Sequence, residues 1–372
     1  MTIGASDPIA VNLAVGLAEE GTVDKRRSRR GWPGRQKADR REGEALWGWL
    51  FLAPVLVLLV VFVIAPILLA LYVSFTKWNG QGGPFSDQAE VVGLDNYQKL
   101  LTEPGLARKN FAAALRNNFY FVLLVVPTQT TIALVLALIL NQRKLKGKSF
   151  FRTAFYMPSI SSAVAVGLIF LYLFQGAGAI NKILSWFGVG SIKWINNSKG
   201  IFHVLLGKLG VDSPPSFLAD HDLLGMDLWS WLSGPSWSML VIIILAVWTT
   251  SGTFMLMLLA GLQSVPDDVH EAAAMDGAGR WQTARLVTLP LLKKQIVLVV
   301  TLGLIGTWQV FDQIYVMSDG AGETVTPAYL AYTTGIREGR YGSASALAFI
   351  VFAIILVFTA VQRFLGRDKE VI

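Results

Sequence analysis

Five long stretches of this chain contain no Asp, Glu, Lys or Arg, and a sixth is interrupted only by Asp312. The hydrocarbon core of a bilayer is about 30 Å thick, so a helix needs roughly 20 apolar residues to cross it. Helices buried inside a large soluble protein rarely reach such lengths without a charge. The pattern predicts an all-α integral membrane protein with six transmembrane helices: Trp49–Val73, Phe119–Leu140, Ala154–Phe174, Met239–Gly261, Ile296–Met317 and Ala344–Phe364.

Composition supports a membrane protein and argues against a soluble enzyme. Of the 372 residues, 53% are apolar and 15% are charged, whereas soluble domains usually carry about 25% charged residues. The lack of cysteine excludes disulfides and thiol catalysis. The histidines His203, His221 and His270 do not have metal-ligand spacing, and we find no catalytic Ser/His/Asp set. We therefore expect no enzymatic activity, no metal and no cofactor in this chain.

The placement of Lys and Arg predicts the orientation of the spans. Six spans put both termini on the same side of the membrane. That side carries 21 basic residues, and the opposite side carries 11. Because short cytoplasmic segments are enriched in Lys and Arg, we predict that both termini and the loops 141–152 and 262–295 are cytoplasmic.

The segments outside the spans divide the chain into a basic tail at 1–44 and a membrane domain at 45–372. The tail includes the run 25–30, with five basic residues. Such a run could bind nucleic acid, but a cytoplasmic tail that touches anionic lipid is the interpretation we favour. The segment 175–238, on the predicted outer side, contains two proline-bearing turns and is too short for an independent catalytic domain. We predict that it forms a small cap, whose fold the sequence leaves open.

The loop between the fourth and fifth spans has the sequence pattern of a short helix, a tight turn and a second short helix. Ser264 followed by Asp267 resembles a capping box. Acidic residues in the first turn suit the positive end of the helix dipole. Val269, Ala272 and Ala273 are spaced to share one face with small side chains. A short, rigid helix with a small surface is suited to occupy a groove on another protein.

This loop resembles a known motif. Glu271-Ala272-Ala273, followed by Gly277 and then by Leu289-Pro290, is similar to the EAA loop of bacterial ABC importer permeases. The wider stretch 265–278 resembles the carbohydrate-importer branch. The runs 51–54 and 93–97 resemble the first permease of maltose-type and glycerol-phosphate-type importers. The resemblance extends from about residue 49 to residue 366.

The resemblance implies a mechanism and a set of partners. A second permease would complete the path, two ATP-binding cassette ATPase subunits would bind below, and an extracytoplasmic sugar-binding protein would deliver a di- or oligosaccharide. ATP hydrolysis would take place in the ATPases and drive alternating access across the bacterial cytoplasmic membrane. The residues that would couple this chain to the ATPases are Glu271, Ala272, Ala273, Asp276, Gly277 and Pro290.

The resemblance also implies a solute path near the middle of the membrane. The matching positions are Ser159, Thr249, Thr250, Thr253 and Thr307, with Gln309 nearby. Hydroxyl and amide groups suit a sugar, and Trp248, Trp308 and Phe311 could stack on sugar faces. The alternative is that these hydroxyls only brace helices, because Ser and Thr in spans often bond to their own backbone. Asp312 is the only acid that we place inside a span, toward its outer end.

A second class of function is a self-contained secondary transporter or channel for a polar solute. Such proteins are expected to show inverted repeats or several intramembrane charges. We observe neither feature in the sequence, and we therefore favour the importer permease.

Overall fold

The computed structural model describes residues 36–142, 145–211 and 213–366, with side chains at all of these except 36–46, 280, 365 and 366. Residues 1–35, most of the predicted basic tail, lie outside this part of the chain. The described chain divides into two compact units, 1–66 and 67–372. In the first unit the described residues form one helix, whose apolar side chains are exposed, including Phe51 (80%) and Phe62 (71%).

Helices make up most of the described chain. In order they are α1 (Gln36–Leu59), α2 (Ala65–Val73), α3 (Asp95–Leu101), α4 (Leu106–Asn141), α5 (Lys148–Ile160), α6 (Ala163–Leu173), α7 (Ala179–Trp186), α8 (Ile201–Lys208), α9 (Ser216–Ala219), α10 (Leu228–Trp231), α11 (Trp237–Gln263), α12 (Asp267–Met275), α13 (Arg280–Thr283), α14 (Leu289–Leu291), α15 (Lys293–Trp308), α16 (Asp312–Met317), α17 (Pro327–Tyr332) and α18 (Tyr341–Gly366). Turns of π-helix occur at Val60–Ile64, Ala284–Thr288 and Thr333–Arg337, and β1 (Asp222–Leu223) pairs antiparallel with β2 (Met226–Asp227).

Four described helices are long and apolar enough to cross a membrane: Trp47–Val73, Leu106–Asn141, Trp237–Gln263 and Tyr341–Phe364. They contain the first, second, fourth and sixth predicted spans. Two further pairs of helices, Lys148–Ile160 with Ala163–Leu173 and Trp281–Leu291 with Lys293–Trp308, are bent by 95° and 68°. The number of spans reaches six if each bent pair counts as one.

The third and fifth predicted spans are not the continuous helices that the sequence suggested. Between α5 and α6, Ser161 has extended backbone, and its hydroxyl donates to Met157 O (2.9 Å), the acceptor that its own amide would use in a continuous helix. The fifth span ends as a helix at Trp308. Near Val310, the hydroxyl of Thr326 donates to the Val310 carbonyl (2.9 Å) and satisfies it outside a helix. Met317, the predicted end of this span, ends the separate helix α16.

Helix α11 lies at the centre of the second unit, packed against α4, α5 and α15. Its two halves contribute to two different apolar clusters. One contains Met239 and Ile242 with Phe121 of α4. The other contains Met255 and Leu258 of α11. Because much of both halves is buried, this helix has no wide polar face; among its hydroxyl groups Ser251 is buried, Thr249 and Thr250 are half-buried and Thr253 is exposed.

A buried amide joins three distant segments of the second unit. The side chain of Asn96 donates to the carbonyls of Ser74 and Thr76 (both 2.9 Å) and accepts a hydrogen bond from the hydroxyl of Ser343 (3.0 Å). Gly342 lies so close that a Cβ there would be 1.9 Å from Thr76 O. The run 93–97, which resembles importer permeases, therefore contains a buried residue that connects the segment after α2 and the start of α18 to α3 by hydrogen bonds.

The segment 175–238 forms a cap of short helices and one β-hairpin within the second unit. Side chains of α4 hold it in place: Arg116 donates to Ser230 O (3.2 Å), and Tyr120 donates to Trp231 O (2.8 Å). The cap shares an apolar cluster with the long helices through Trp194 and Ile180. It is therefore built onto the ends of the long helices, and its described residues share their apolar core.

Candidate functional site

The loop at 264–292 has the predicted order of a helix, a turn and a second helix. Helix α12 begins after Pro266, with Asp267 and Asp268 in its first turn. The predicted capping box is wrong, because the hydroxyl of Ser264 donates to Gly261 O (2.8 Å) instead of capping α12. The start of α12 is defined by the proline geometry of Pro266 and by the acidic first turn.

The two faces of α12 differ from the prediction at one residue. Ala273 is buried, and Val269 and His270 are half-buried, so this face lies against the chain itself. Ala272, which was predicted to share that face, is exposed together with Glu271 and Asp276. A step of 100° per residue places 269, 270 and 273 on one side and 271, 272 and 275 on the other. The outward face therefore combines an acid, a small residue and Met275.

The turn after α12 requires glycine because of its backbone conformation. Gly277 has φ +77°, and nothing lies within 4 Å of the place where a Cβ would be. Its N–H donates to Ala274 O (3.1 Å), and the N–H of Ala278 donates to Ala273 O (3.0 Å). These bonds satisfy the last carbonyls of the helix. The direction of the following helix α13 is thus set by a left-handed residue that glycine adopts without strain.

Large apolar side chains surround this loop and are exposed. Met275 is 88% exposed, Trp281 76% and Leu286 69%. Pro290 lies in the first turn of α14, directly before the 68° bend into α15. Exposed apolar side chains grouped in this way are typical of a surface that contacts another protein or a membrane. The sequence pattern did not predict this surface, because the helical spacing drew attention to Ala272 and Ala273 and not to the aromatic and Met residues around them.

The predicted path residues line two adjoining cavities between α4, α5, α11 and α15. The cavity between α4, α11 and α15 has a volume of about 410 Å³, and Thr307 and Gln309 line it. The cavity between α5 and α11 has a volume of about 300 Å³, and Ser159, Thr249 and Thr253 line it. Thr250, Phe254 and Gln313 line both cavities. The structure therefore brings all six predicted side chains to one region.

The hydroxyl groups of this region also brace helices, as the alternative interpretation expected. Ser159 donates to Thr249 O (2.5 Å) across α5 and α11. Thr249 donates to Leu245 O (3.0 Å), and Thr307 donates to Gly303 O (2.8 Å), each within its own helix. A hydroxyl has one proton but two acceptor lone pairs. These groups can therefore still accept hydrogen bonds from a solute.

Gln129 of α4 is a buried polar residue that is absent from the predicted path residues. It is 1% exposed, and its Oε1 lies 2.5 Å from the hydroxyl of Thr250, while its Nε2 has no hydrogen-bond partner. A Cβ at Gly303 would lie 2.5 Å from that Nε2. A polar side chain in an apolar span was the available signal, and it applies equally to Gln313.

The three aromatic residues proposed for stacking have different positions. Phe311 lines the larger cavity. Trp308 does not, because it is 3% exposed and packs against Phe358 with ring centroids 5.4 Å apart. Trp248 points to the opposite side of α11, into a separate apolar groove next to Phe170. The expectation that all three line the path is wrong for the two tryptophans, because spacing alone did not determine which side of the helix faces the cavity.

An aromatic cluster with an ion pair lies beside the larger cavity. Phe311 packs against Tyr315, Tyr329 and Tyr332. Arg337 donates to Asp319 at 2.6 and 3.1 Å, and Tyr329 donates to the same carboxylate at 2.8 Å. Hydrogen bonds from Arg337, and then from Tyr329, hold the pKa of Asp319 below its usual value. Burial, and then the bond to Asp319, raise the pKa of Tyr329 to about 12.

Comparison with known proteins identifies the family. Residues 129–371 match the family described as binding-protein-dependent transport system inner membrane component. The chain belongs to this family. The family is one of membrane-spanning permeases, and the long apolar helices of this chain agree with that.

Several relatives of this permease extend over nearly the whole chain. The lactose transport system permease protein of Rhizobium radiobacter is 29% identical over 87% of this chain and 95% of its own length. The trehalose/maltose transport system permease protein of Thermococcus litoralis is 31% identical over 88% of this chain and 96% of its own length. A crystal structure of a bacterial ABC transporter that imports the acidic polysaccharide alginate has a chain with the same fold (TM-score 0.67, 20% identity, covering 90% of this chain and 99% of that chain).

Proposed function

We propose that this permease is the transmembrane subunit of an ATP-binding cassette importer that moves a di- or oligosaccharide across the bacterial cytoplasmic membrane. The observation that carries the proposal is the pair of adjoining cavities lined by hydroxyl and amide groups inside an apolar helical bundle. A sugar presents many hydroxyl groups and no charge, so such a lining matches it. The curated relatives that transport lactose and trehalose or maltose support this substrate class.

In this proposal each bent helix pair is one span, which gives six spans in total. Both termini and the loop 262–295 face the cytoplasm, where the excess of basic residues lies. Residues 1–44 form a cytoplasmic tail, 45–372 form the membrane domain, and the cap at 175–238 lies outside. The bend at Ser161 borders the smaller cavity, and irregular backbone at membrane depth is tolerated where it lines such a cavity.

The loop around α12 couples the permease to separate ATPase subunits. Glu271, Ala272 and Asp276 present an exposed face, and Met275 and Trp281 add apolar area at its edge. Gly277 sets the angle of the turn, and Pro290 begins the segment that leads into α15. Closure of two ATPase subunits on ATP would push on this loop and move α11 and α15 relative to one another. A rigid contact is necessary, because only an element with defined positions can transmit such a change.

Two further protein partners complete the importer. A second permease subunit forms the other half of the path, and an extracytoplasmic sugar-binding protein delivers the solute to the outer side. The alginate transporter with the same fold has been crystallised with its periplasmic protein, which supports such a partner. This chain itself binds the lipid bilayer and the sugar, and ATP hydrolysis takes place in the partner ATPases.

The test is to purify the permease with the products of its neighbouring genes and to measure which saccharides stimulate ATP hydrolysis in liposomes. We expect stimulation by a di- or oligosaccharide with its binding protein. Glu271→Lys should abolish this stimulation, whereas Glu271→Gln, the matched neutral variant, should lose less. Replacing Thr250 and Thr307 by Val should impair uptake but preserve assembly. Uptake by this chain alone, driven by an ion gradient, would instead establish a secondary transporter.

A further inference from the structure

Helix α7 in the cap has one face fixed firmly against the protein. Asn181, 5% exposed, donates to the carbonyls of Gly176 (3.0 Å) and Ile192 (2.9 Å) and accepts from Trp194 Nε1 (2.9 Å). Ile180 and Leu184 pack against the same apolar cluster. The buried amide has its hydrogen bonds satisfied, so the orientation of the helix is well defined.

The opposite face of α7 is apolar, aromatic and exposed. Trp186 is 74% exposed, Phe187, directly after the helix, 78%, and Ile183 43%. Lys182 is exposed at the edge of this face. The surrounding segment 175–211 contains four lysines and no Asp or Glu. A surface that combines large apolar side chains with lysine only is typical of helices that lie in a membrane interface.

The position of α7 in the fold agrees with such a location. Its inner face packs in the same cluster as Phe174, at the end of α6, and Trp237, at the start of α11. The rings of Phe174 and Trp237 each lie 5.4 Å from the ring of Trp194. The helix is therefore level with the ends of two membrane-crossing segments, where tryptophans are enriched in membrane proteins.

The exposed surface of α6 is mainly apolar, and a short connection in which Gln175 is the only polar side chain leads from it to α7. Leu168 and Ile169 are 56% and 57% exposed, and Tyr172, at the end of α6, is 71% exposed. Five residues separate Leu173 from the first residue of α7, which limits the distance between the two helices. The apolar face of α7 therefore adjoins the surface that α6 presents to lipid.

We propose that α7 is an interfacial anchor that binds the phospholipid of the adjacent leaflet, with Ile183, Trp186 and Phe187 at the boundary between headgroups and acyl chains. Lys182 reaches lipid phosphates from the edge of this face, while its stem covers apolar surface. The anchor fixes the cap to the membrane while the spans move during transport. It depends only on membrane insertion and not on which solute is carried, so it goes beyond the proposed function.

The chain contains no cysteine, which makes site-specific labelling direct. In the intact complex, reconstituted in vesicles with phosphatidylglycerol, a fluorescent NBD group is attached at Trp186→Cys. The matched control is Ser185→Cys, because Ser185 is exposed on the same helix but points about 100° away. The complex in which this chain has no cysteine gives the background from labels on the partner subunits.

We expect nitroxide lipids labelled near the glycerol to quench the label at position 186 more than the label at position 185, because interfacial aromatic positions lie at the level of the headgroups. Aqueous iodide should quench the label at position 185 more than the label at position 186. Equal quenching of both labels by iodide would place α7 in water and overturn the proposal. Protection of position 186 from both quenchers would show that another protein subunit covers this face, which also overturns it. Saccharide-stimulated ATPase activity of the same samples tests the proposed transport function separately.

Discussion

Replacing Gly277 tests whether the angle of the loop after α12 carries the coupling. The residue has φ +77°, a conformation that costs other L-residues about 1–2 kcal/mol. A Cβ at this position meets nothing within 4 Å, so the cost is in the backbone and not in steric contact. A penalty of that size lowers the population of the native turn by a factor of about 5–30.

The neighbouring glycine provides a matched control. Gly279 does not have a positive φ, and a Cβ there would meet only the Oε1 of Gln282 at 3.6 Å, an ordinary contact. We therefore expect Gly277→Ala to reduce saccharide-stimulated ATP hydrolysis and uptake several-fold, and Gly279→Ala to have little effect. Gly277→Asn should be milder than Gly277→Ala, because Asn tolerates the left-handed region better.

The measurement is coupled ATPase activity in liposomes, normalised to the amount of assembled complex. If Gly277→Ala and Gly279→Ala both retain the activity of the parent complex, the left-handed turn does not position the coupling surface, and the reasoning is refuted. If Gly277→Ala prevents the ATPases from binding at all, the turn is needed for docking itself, and an association assay will show it.

Three other substitutions test the structure at separate places. Gly303→Ala should lower the melting temperature of the complex, because its Cβ would lie 2.5 Å from Gln129 Nε2. Adding Gln129→Ala should recover much of this loss. A double-mutant cycle of the two positions should give a coupling free energy of about 0.5–3 kcal/mol. Gly342→Ala, whose Cβ would lie 1.9 Å from a backbone carbonyl, should destabilise by about 1–3 kcal/mol as judged by thermal unfolding. Arg337 lowers the pKa of Asp319, so the stabilisation by this pair is present above the usual Asp pKa and is lost as the pH falls below that value and through the lowered pKa. Asp319→Asn should therefore show a smaller loss of melting temperature on acidification than the parent.

Sequence reasoning located the membrane helices and the loop because both depend on local patterns. A long stretch without charge identifies a span, and Gly277 marks a turn wherever the chain folds. The bends at Ser161 and after Leu292 could not be read in the same way. A serine hydroxyl that replaces a backbone amide, as at Ser161, leaves the composition of the span unchanged.

The lining of the cavities was harder to predict because it depends on which face of each helix is turned inward. Trp248 and Thr249 are adjacent in sequence, yet Trp248 lines a separate apolar groove and Thr249 lines the smaller cavity. Gln129 lies in α4, far in sequence from the loop that carries the resemblance, and its role follows only from its contact with Thr250. Which side chains line a cavity is determined by the packing between helices and not by the order of residues within one helix.

The balance of donors and acceptors in the cavities makes a final prediction about the solute. The hydroxyls of Ser159, Thr249 and Thr307 give their protons to backbone carbonyls, so they offer acceptors to a ligand. The amides of Gln309 and Gln313 can supply donors, and the only charged side chain in the lining of either cavity, among the described residues, is Asp312.

A neutral sugar both donates and accepts hydrogen bonds and therefore matches this lining. A uronate would meet the carboxylate of Asp312 with no cation in the lining to offset it, and like charges in a site of low polarity repel strongly. We expect neutral di- or oligosaccharides to stimulate transport ATPase activity and acidic ones of equal length to fail, even though the alginate transporter with the same fold imports an acidic polysaccharide. Asp312→Asn should reduce the difference in ATPase stimulation between the neutral and the acidic saccharides. Equal stimulation by both in the parent complex would show that charge in this region does not select the solute.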